Sequence, residues 1–174
     1  MNKKIIALTT DPYGNIHGYS LVFIRLFNFI QKNNPDLTVT LISNDGVCSK
    51  IVNNKKFLKI KLNPKSNLLF KTIFLAFLFI KNVWHCDKGS VLISNTEIPE
   101  LLAAFFLKIK FKHGNIYCIV HDNHVRDKLL KTKMINKLRN FLIKRVNNAI
   151  FVNRYTMKQL DSSINKFYIG NPIF

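Results

Sequence analysis

Short runs of β-branched and aliphatic residues alternate along this chain with longer segments in which apolar residues recur at helical spacing. Such alternation is typical of βαβ units, in which helices connect parallel strands. The strand-like runs cover residues 4–9, 38–43, 57–62, 91–94, 115–120, 149–152 and 166–169. The pattern predicts an α/β fold with a mostly parallel sheet of six or seven strands.

The helical segments between these runs cover residues 21–32, 68–84, 100–111, 125–146 and 156–160. Ser20 is placed to cap the first helix, and Pro99 is placed in the first turn of the third. The fourth segment has Lys and Arg between apolar residues at helical spacing, which predicts a long basic amphipathic helix. Its apolar positions are Leu129, Leu130, Met134, Leu138, Phe141 and Leu142. No repeat or linker interrupts this order, so we expect a single Rossmann-like three-layer domain over residues 1–174.

Polar and titratable residues follow several of the predicted strands at the point where each strand ends. Ligands of open parallel sheets bind outside the carboxyl ends of the strands, so we predict a substrate site at this rim. His121 and Asp122 are the catalytic candidates, because a histidine beside a carboxylate at a strand exit is suited to contact substrate hydroxyls. The substrate-binding candidates nearby are Asn95, Glu97, His124, Asn153 and Arg154. Asn, Asp and Thr are also ordinary turn residues, which is the alternative role for any one of them.

A loop with two glycines separates the first strand from the first helix. It supplies four further binding candidates, Gly14, Asn15, His17 and Gly18. Backbone N–H groups at the start of a helix, together with the helix dipole, suit a phosphate or another anion. The loop fits neither the G-x-G-x-x-G pattern nor the P-loop pattern, so neither a dinucleotide site nor an ATP site of the usual kind is predicted.

The chain is strongly basic, with 27 Lys and Arg against 9 Asp and Glu and a formal net charge of +18. Apolar residues make up 48% of the sequence, so this charge surrounds a folded core and does not mark a disordered tail. A field of this sign favours phosphorylated ligands, acidic lipids or nucleic acid.

The cations of the basic helix have three interpretations: a solvated surface, adsorption to an acidic membrane surface, or nucleic-acid binding. They are Lys128, Lys131, Lys133, Lys137, Arg139, Lys144 and Arg145. Two other segments that are both apolar and basic, residues 68–84 and 105–114, favour the membrane. Nucleic acid is not favoured, because the chain contains no nucleic-acid-binding motif.

Three widely spaced cysteines, Cys48, Cys86 and Cys118, form no C-x-x-C pair, so neither a disulfide framework nor a zinc knuckle is predicted. Cys118, His121 and His124 are evenly spaced, but Cys118 is expected inside a strand as a small core residue. No metal site is therefore predicted. Only four apolar residues lie between the two N-terminal lysines and Thr9, too few for a signal peptide, which predicts a cytoplasmic chain that lies at most peripherally on the inner face of the cell membrane.

Taken in order, these segments resemble the N-terminal domain of family 4 glycosyltransferases with the GT-B fold, across essentially the whole chain. KIIALTTDPYGNIHGYSLVFIRLF looks like the opening strand, glycine loop and first helix, and IYCIVHDNH looks like the strand that leads to a histidine. AIFVNRYTMKQL looks like the strand before a Thr-containing helix start, and FYIGNPIF resembles the segment that leads into a second domain. The chain departs from the family pattern where Gly14 and Gly18 stand apart and where Asn153 replaces the usual Ser.

The resemblance implies transfer of a sugar, with retention of configuration, from a nucleotide-sugar to a glycan or lipid-linked acceptor, as in cell-envelope polysaccharide biosynthesis. It implies no firmly bound cofactor, a loop at residues 14–18 near the donor phosphates, and a His121 that faces the transferring sugar. By this resemblance residues 1–174 correspond to the acceptor-side domain without the donor-binding C-terminal domain, so we expect a separate domain or chain to supply that domain and this chain alone to be nearly inactive. The alternative is a non-catalytic α/β module that binds an anionic lipid or polymer through its basic face.

Overall fold

The computed structural model describes residues 4–9, 18–43, 67–87, 89–112, 115–120, 130–160 and 163–170. Over these residues strands and helices alternate strictly along the chain. The strands are β1 (Lys4–Thr9), β2 (Thr38–Ser43), β3 (Val91–Ser94), β4 (Ile116–Val120), β5 (Asn148–Phe151) and β6 (Asn165–Tyr168). The helices are α1 (Gly18–Asn33), α2 (Leu68–Val83), α3 (Ile98–Lys110), α4 (Leu130–Val146) and α5 (Arg154–Gln159).

The described strands form one sheet in the order β2-β1-β3-β4-β5-β6, and every neighbouring pair is parallel. In the centre, Ala7 of β1 lies between Leu41 of β2 and Ile93 of β3. The chain therefore moves outward from β1 to β2, returns past β1 to β3, and then continues in one direction to β6. Because crossovers between parallel strands are right-handed, this reversal places α1 on one face of the sheet and α2, α3 and α4 on the other.

Alternate residues of the strands enter two cores on opposite faces of the sheet. On β1, Ile6 and Leu8 pack against the helix layer of α2, α3 and α4, whereas Ala7 packs on the side of α1. Phe79 of α2 is fully buried in the first core, and Phe27 of α1 is fully buried in the second. Strands covered on both faces must be apolar at nearly every position, which explains the continuous apolar runs in the sequence.

The predicted strands agree closely with the structure where it describes them. β1, β2 and β3 have the predicted bounds, and β4, β5 and β6 agree within one residue. The strand predicted at residues 57–62 lies outside the described residues. Pro99 lies in the first turn of α3, as predicted, but α1 begins at Gly18, so Ser20 is inside its first turn and does not cap it. Among the helices that the structure describes, none is long and apolar enough to cross a bilayer.

α4 is amphipathic, but three of its predicted apolar positions face solvent. Met134, Leu138 and Phe141 are 73%, 44% and 47% exposed. The residues that α4 buries are Asn136, Arg139, Leu142, Ile143 and Val146. The prediction that Arg139 belongs with the surface cations is therefore wrong. α4 packs on the core through the face formed by Leu142, Ile143 and Val146, and Arg139 lies on that same face.

The buried face of α2 provides a test of this packing. Phe79→Ala should lower the free energy of unfolding by about 3–5 kcal/mol, because it leaves a cavity between α2 and the sheet. Phe77, two residues away on the same helix, is 60% exposed. Phe77→Ala should change the free energy of unfolding by less than about 0.5 kcal/mol. Urea denaturation followed by circular dichroism measures both, and equal losses would show that α2 packs through a different face.

Candidate functional site

The carboxyl ends of β1, β3, β4 and β5 lie next to one another along one rim of the sheet, because these neighbouring strands are parallel. Thr9 ends β1, Asn95 follows β3, Val120 ends β4 and Asn153 follows β5. The backbone N–H of Asn95 donates to the carbonyl oxygen of Leu8 at 3.0 Å, which joins the ends of β1 and β3. The strand order reverses between these two strands, and the crevice at such a reversal is where open α/β sheets bind their ligands.

A buried guanidinium group from α4 holds the loop that follows β3. Arg139 Nε donates to the carbonyl oxygen of Thr96 at 2.8 Å, and Nη2 donates to the Glu97 carboxylate at 3.1 Å. Its third contact is from Nη1 to Asn136 Oδ1 at 3.0 Å. The side chain of Arg139 is 9% exposed and that of Glu97 is 34% exposed. A guanidinium this deeply buried requires a partner for its charge, and Glu97 supplies it.

Asn95 and Glu97 both hold the backbone of this loop. Asn95 is 4% exposed, and its Oδ1 accepts a hydrogen bond from the backbone N–H of Thr96 at 3.0 Å. The backbone N–H of Glu97 donates to Glu100 Oε2 at 3.3 Å in the first turn of α3. Because its carboxylate also binds Arg139, Glu97 links α3 to α4. Both residues therefore shape the rim, and their contact with substrate stays a prediction.

Asn153 and Arg154 lie where β5 passes into α5. Asn153 caps that helix, since its Oδ1 accepts from the backbone N–H of Tyr155 at 2.8 Å. Arg154 is exposed, and its guanidinium carbon lies 4.9 Å from the centre of the Tyr168 ring. Thr156 Oγ1, in the first turn of α5, is buried without a hydrogen-bond partner among the described residues. This end of the rim therefore offers a solvent-facing cation, Arg154, beside a buried hydroxyl.

Several predicted site residues lie outside the described residues. They are Gly14, Asn15, His17, His121, Asp122 and His124. Gly18 is described, and it is the first residue of α1. Val120, the residue before His121, ends β4 at the rim between β3 and β5. The structure thus brings the described candidates together on one rim, and the roles of the two histidines and the loop stay predictions.

Cys118 is a core residue, as predicted. It lies in β4 with no exposed surface, and its Sγ donates to the carbonyl oxygen of Asn148 at 3.5 Å. Burial raises the pKa of this thiol to about 12, and a thiol that stays protonated is a poor metal ligand. In the part of the chain that the structure describes, no three His, Cys, Asp or Glu side chains are grouped to hold a metal ion.

The sequence carries a signal for the position of Arg139, although it does not choose between the two apolar faces of α4. Arg139 precedes Leu142, Ile143 and Val146 by three, four and seven residues, which is the spacing of one helical face. The three apolar residues of this face are large. Arg139 is the one charged residue that lies among them in the helical projection. A single arginine on a core face is the sequence signal of a buried ion pair.

Comparison with known proteins finds a match in fold, whereas no family model and no curated protein matches the sequence. Two solved structures superpose on nearly the whole chain. The lipopolysaccharide outer core galactosyltransferase WaaB, in its apo form, matches 98% of this chain with a TM-score of 0.62 and 13% identity. A glycosyltransferase from Rickettsia africae ESF-5 matches 97% of this chain with a TM-score of 0.60 and 13% identity.

The chain spans 46% of the galactosyltransferase chain and 43% of the rickettsial chain, less than half of each. It has the fold of one half of a GT-B glycosyltransferase. The predicted Rossmann-like α/β architecture is thereby confirmed. One fold supports many functions, so sugar transfer by this chain has to be argued from the residues at its rim.

Removing the guanidinium group should loosen the rim. Arg139→Met should lower the free energy of unfolding by about 2–3 kcal/mol, because three hydrogen bonds and the counter-charge of Glu97 are lost. Lys137→Met, at an exposed position of the same helix, should change it by less than about 0.5 kcal/mol. Denaturant titration gives both values. Amide hydrogen exchange in residues 94–98 should accelerate only in Arg139→Met, and unchanged exchange there would contradict the assigned contact.

The buried thiol should be chemically protected. At about pH 8, Cys118 should resist alkylation in the folded chain and react in urea, as mass spectrometry of the peptides can measure. The unfolded thiol loses its proton near pH 9.0 and the folded thiol near 12, so the unfolded state binds fewer protons in between. The contribution of Cys118 to stability is therefore present below pH 9.0 and is lost as the pH rises toward 12. Rapid alkylation of Cys118 in the native chain would contradict this placement.

Proposed function

We propose that this chain is the N-terminal, acceptor-side half of a retaining glycosyltransferase of the family 4 type. The complete enzyme would transfer a sugar from a nucleotide-sugar to a glycan or lipid-linked acceptor of the cell envelope. The observation that carries the proposal is the superposition of 98% of this chain on 46% of a galactosyltransferase chain. The order of the glycine loop, the histidine after β4 and the helix start after β5 supports it.

The reacting groups would meet at the rim, beside the crevice between β1 and β3. The loop of residues 14–18 would bind the donor phosphates at the start of α1, where backbone N–H groups and the helix dipole favour an anion. His121 and Asp122 would contact the transferring sugar and the acceptor hydroxyls. The border of the site would be formed by Asn95, Glu97, His124, Asn153 and Arg154. In this arrangement the Arg139 contact with Glu97 keeps the loop after β3 in place.

A second, donor-binding domain or chain would complete the site. Departure of the nucleotide phosphate requires positive charge or hydrogen-bond donors preorganised around it, and the one exposed arginine at the end of β5 in the described rim, Arg154, is too little for this. Residues 171–174, part of the segment that resembles the lead into a second domain, lie outside the described residues, but aromatic and aliphatic side chains near β6 are exposed. They are Tyr155 at 57%, Phe167 at 46%, Tyr168 at 42% and Ile169 at 48%. Apolar side chains grouped at the β6 edge are suited to such a contact.

The proposed location is the cytoplasm, at the inner face of the cell membrane. A lipid-linked acceptor resides in that membrane, so a domain that holds the acceptor gains from lying beside it. Peripheral attachment would suit the basic, partly apolar surface of this chain.

A second candidate function is a non-catalytic module that binds an anionic lipid or polymer. The exposed apolar and basic side chains of α2, α3 and α4 favour it. Binding that is equally strong with and without a nucleotide-sugar, and that never leads to sugar transfer, would select this candidate. Retention on DNA or RNA with a steep salt dependence would instead select nucleic acid, for which the chain has no motif.

Reconstitution tests the glycosyltransferase proposal. The chain should transfer sugar when it is combined with a donor-binding chain encoded by an adjacent reading frame, and product formation from a labelled nucleotide-sugar measures the rate. In that assembly, His121→Ala should lower the rate at least about tenfold, since a lost hydrogen bond to a charged group costs about 1.5–3 kcal/mol.

His85→Ala is the matched control, because His85 is an exposed histidine near the amino-terminal edge of the sheet, after α2. It should transfer sugar at the wild-type rate, and both variants should unfold at the wild-type denaturant concentration. Wild-type turnover by His121→Ala would refute the role of that residue. Failure of every donor-binding chain to restore transfer would refute the split-enzyme form of the proposal.

A further inference from the structure

Arg154, the first residue of α5, is an exposed cation at the rim that has no carboxylate partner among the described residues. The acidic residues described near this rim are Glu97 and Glu100. Glu97 binds Arg139, and Glu100 is fully buried in the first turn of α3. Neither of them neutralises Arg154, so its charge is available to a ligand that enters the rim from solvent.

The ring of Tyr168 orients this guanidinium group. Tyr168 ends β6 and is paired with Phe151, the last residue of β5, so it lies beside the point where α5 begins. The guanidinium carbon of Arg154 lies 4.9 Å from the centre of the ring. A guanidinium over an aromatic face keeps the N–H groups at its edge free, and two parallel N–H groups match the oxygens of a phosphate or a carboxylate. Because the side chain of Asn153 already caps α5, an anion here would be bound by Arg154 and not by the helix start.

The strand order separates Arg154 from the proposed position of the donor phosphates. Those phosphates would lie at the start of α1, after β1, and the order β1-β3-β4-β5 leaves three strand spacings between β1 and β5. Adjacent strands lie about 4.8 Å apart, so the two positions are about 14 Å apart along the rim. The end of β4, which precedes His121, lies between them. An anion at Arg154 is therefore on the opposite side of the proposed reacting groups from the donor phosphates.

We infer that Arg154 binds an anionic group, a phosphate or a carboxylate, on the saccharide that accepts the sugar. Two N–H groups at the edge of its guanidinium donate to two oxygens of the anion, while the Tyr168 ring holds the guanidinium plane in position. Arg154 thereby distinguishes a charged acceptor from a neutral one. The inference rests on the proposed function, because the ligand is an acceptor only if the complete assembly transfers sugar, but the binding itself is tested without sugar transfer.

Titration of the full chain with small saccharides tests this site. Glucose 6-phosphate carries a phosphate, glucuronate carries a carboxylate, and glucose carries neither. At least one of the two anionic sugars should bind about tenfold more tightly than glucose, because hydrogen bonds between charged groups are stronger than those between neutral ones. Inorganic phosphate should bind more weakly than that sugar, because it lacks the hydroxyl groups that the rest of the rim would contact. Shifts of the backbone amide signals of residues 153–156 in NMR spectra give each dissociation constant.

Variants of α5 and β6 separate this contact from the general positive charge of the chain. Arg154→Met should weaken binding of the anionic sugar at least about tenfold, whereas Arg154→Lys, which keeps the charge but loses the paired N–H groups, should weaken it less. Lys158→Met is the matched control, because it removes the same charge from an exposed position one turn further along α5. It should bind within about twofold of the wild type. Tyr168→Leu should weaken binding about two- to fivefold, because the guanidinium loses the ring that orients it.

Three results would overturn the inference: neither anionic sugar binds more tightly than glucose, inorganic phosphate binds as tightly as both anionic sugars, or Arg154→Met and Lys158→Met weaken binding equally. In the reconstituted assembly, sugar transfer at a rate that Arg154→Met leaves unchanged would also count against this site, while it would support the proposed function. Binding that depends on Arg154, without sugar transfer by the assembly, would count against the proposed function and would leave an anionic saccharide as the ligand of this site.

Discussion

Parallel pairing of β1 with β2 on one side and with β3 on the other determines most of the architecture. Parallel neighbours cannot be joined by a tight turn, so each connection crosses the sheet as a helix. Because the second connection returns past β1, α1 lies on one face and α2, α3 and α4 lie on the other. The same pairing brings the strand ends to one rim and opens the crevice between β1 and β3.

The contact of Arg139 with Thr96 and Glu97 connects the two parts of the molecule that matter for function. Arg139 lies on the buried side of α4 and binds the loop that follows β3, so these hydrogen bonds connect the helix layer to the rim. An ion pair on the surface would contribute little to the free energy of folding. For a guanidinium this deeply buried, removing the partner leaves an uncompensated charge, and this costs more free energy than the intact pair contributes. The contact therefore fixes one arrangement of the loop, as the proposed binding of a sugar at this rim would require.

The helix layer borders the rim, because Arg139 of α4 binds Thr96 and Glu97 in the loop after β3. Under the proposed function, an apolar and basic face near the polar rim would suit an acceptor that lies partly in a membrane. Half of a GT-B glycosyltransferase with such a surface would still need positive charge around the departing nucleotide, and the described rim offers little beyond Arg154. The exposed aromatic side chains beside β6 are consistent with a further domain or chain at that edge.

The sequence by itself determined the positions of the strands and helices, the α/β class and the rim at which polar residues gather. Strands such as β1 and β3 are buried on both faces, so their apolar runs are visible without any knowledge of their neighbours. It also placed Cys118 in the core and His121 directly after β4.

Only the tertiary structure decided which face of α4 is buried and that Arg139 lies inside. α4 has apolar residues on more than one side, with Met134 and Phe141 on one and Leu142 and Val146 on another. Local spacing cannot choose between two apolar faces, because the choice depends on which of them fits the sheet and satisfies the charge of Arg139. That choice also left apolar side chains of α4 exposed on the outer side of the helix layer.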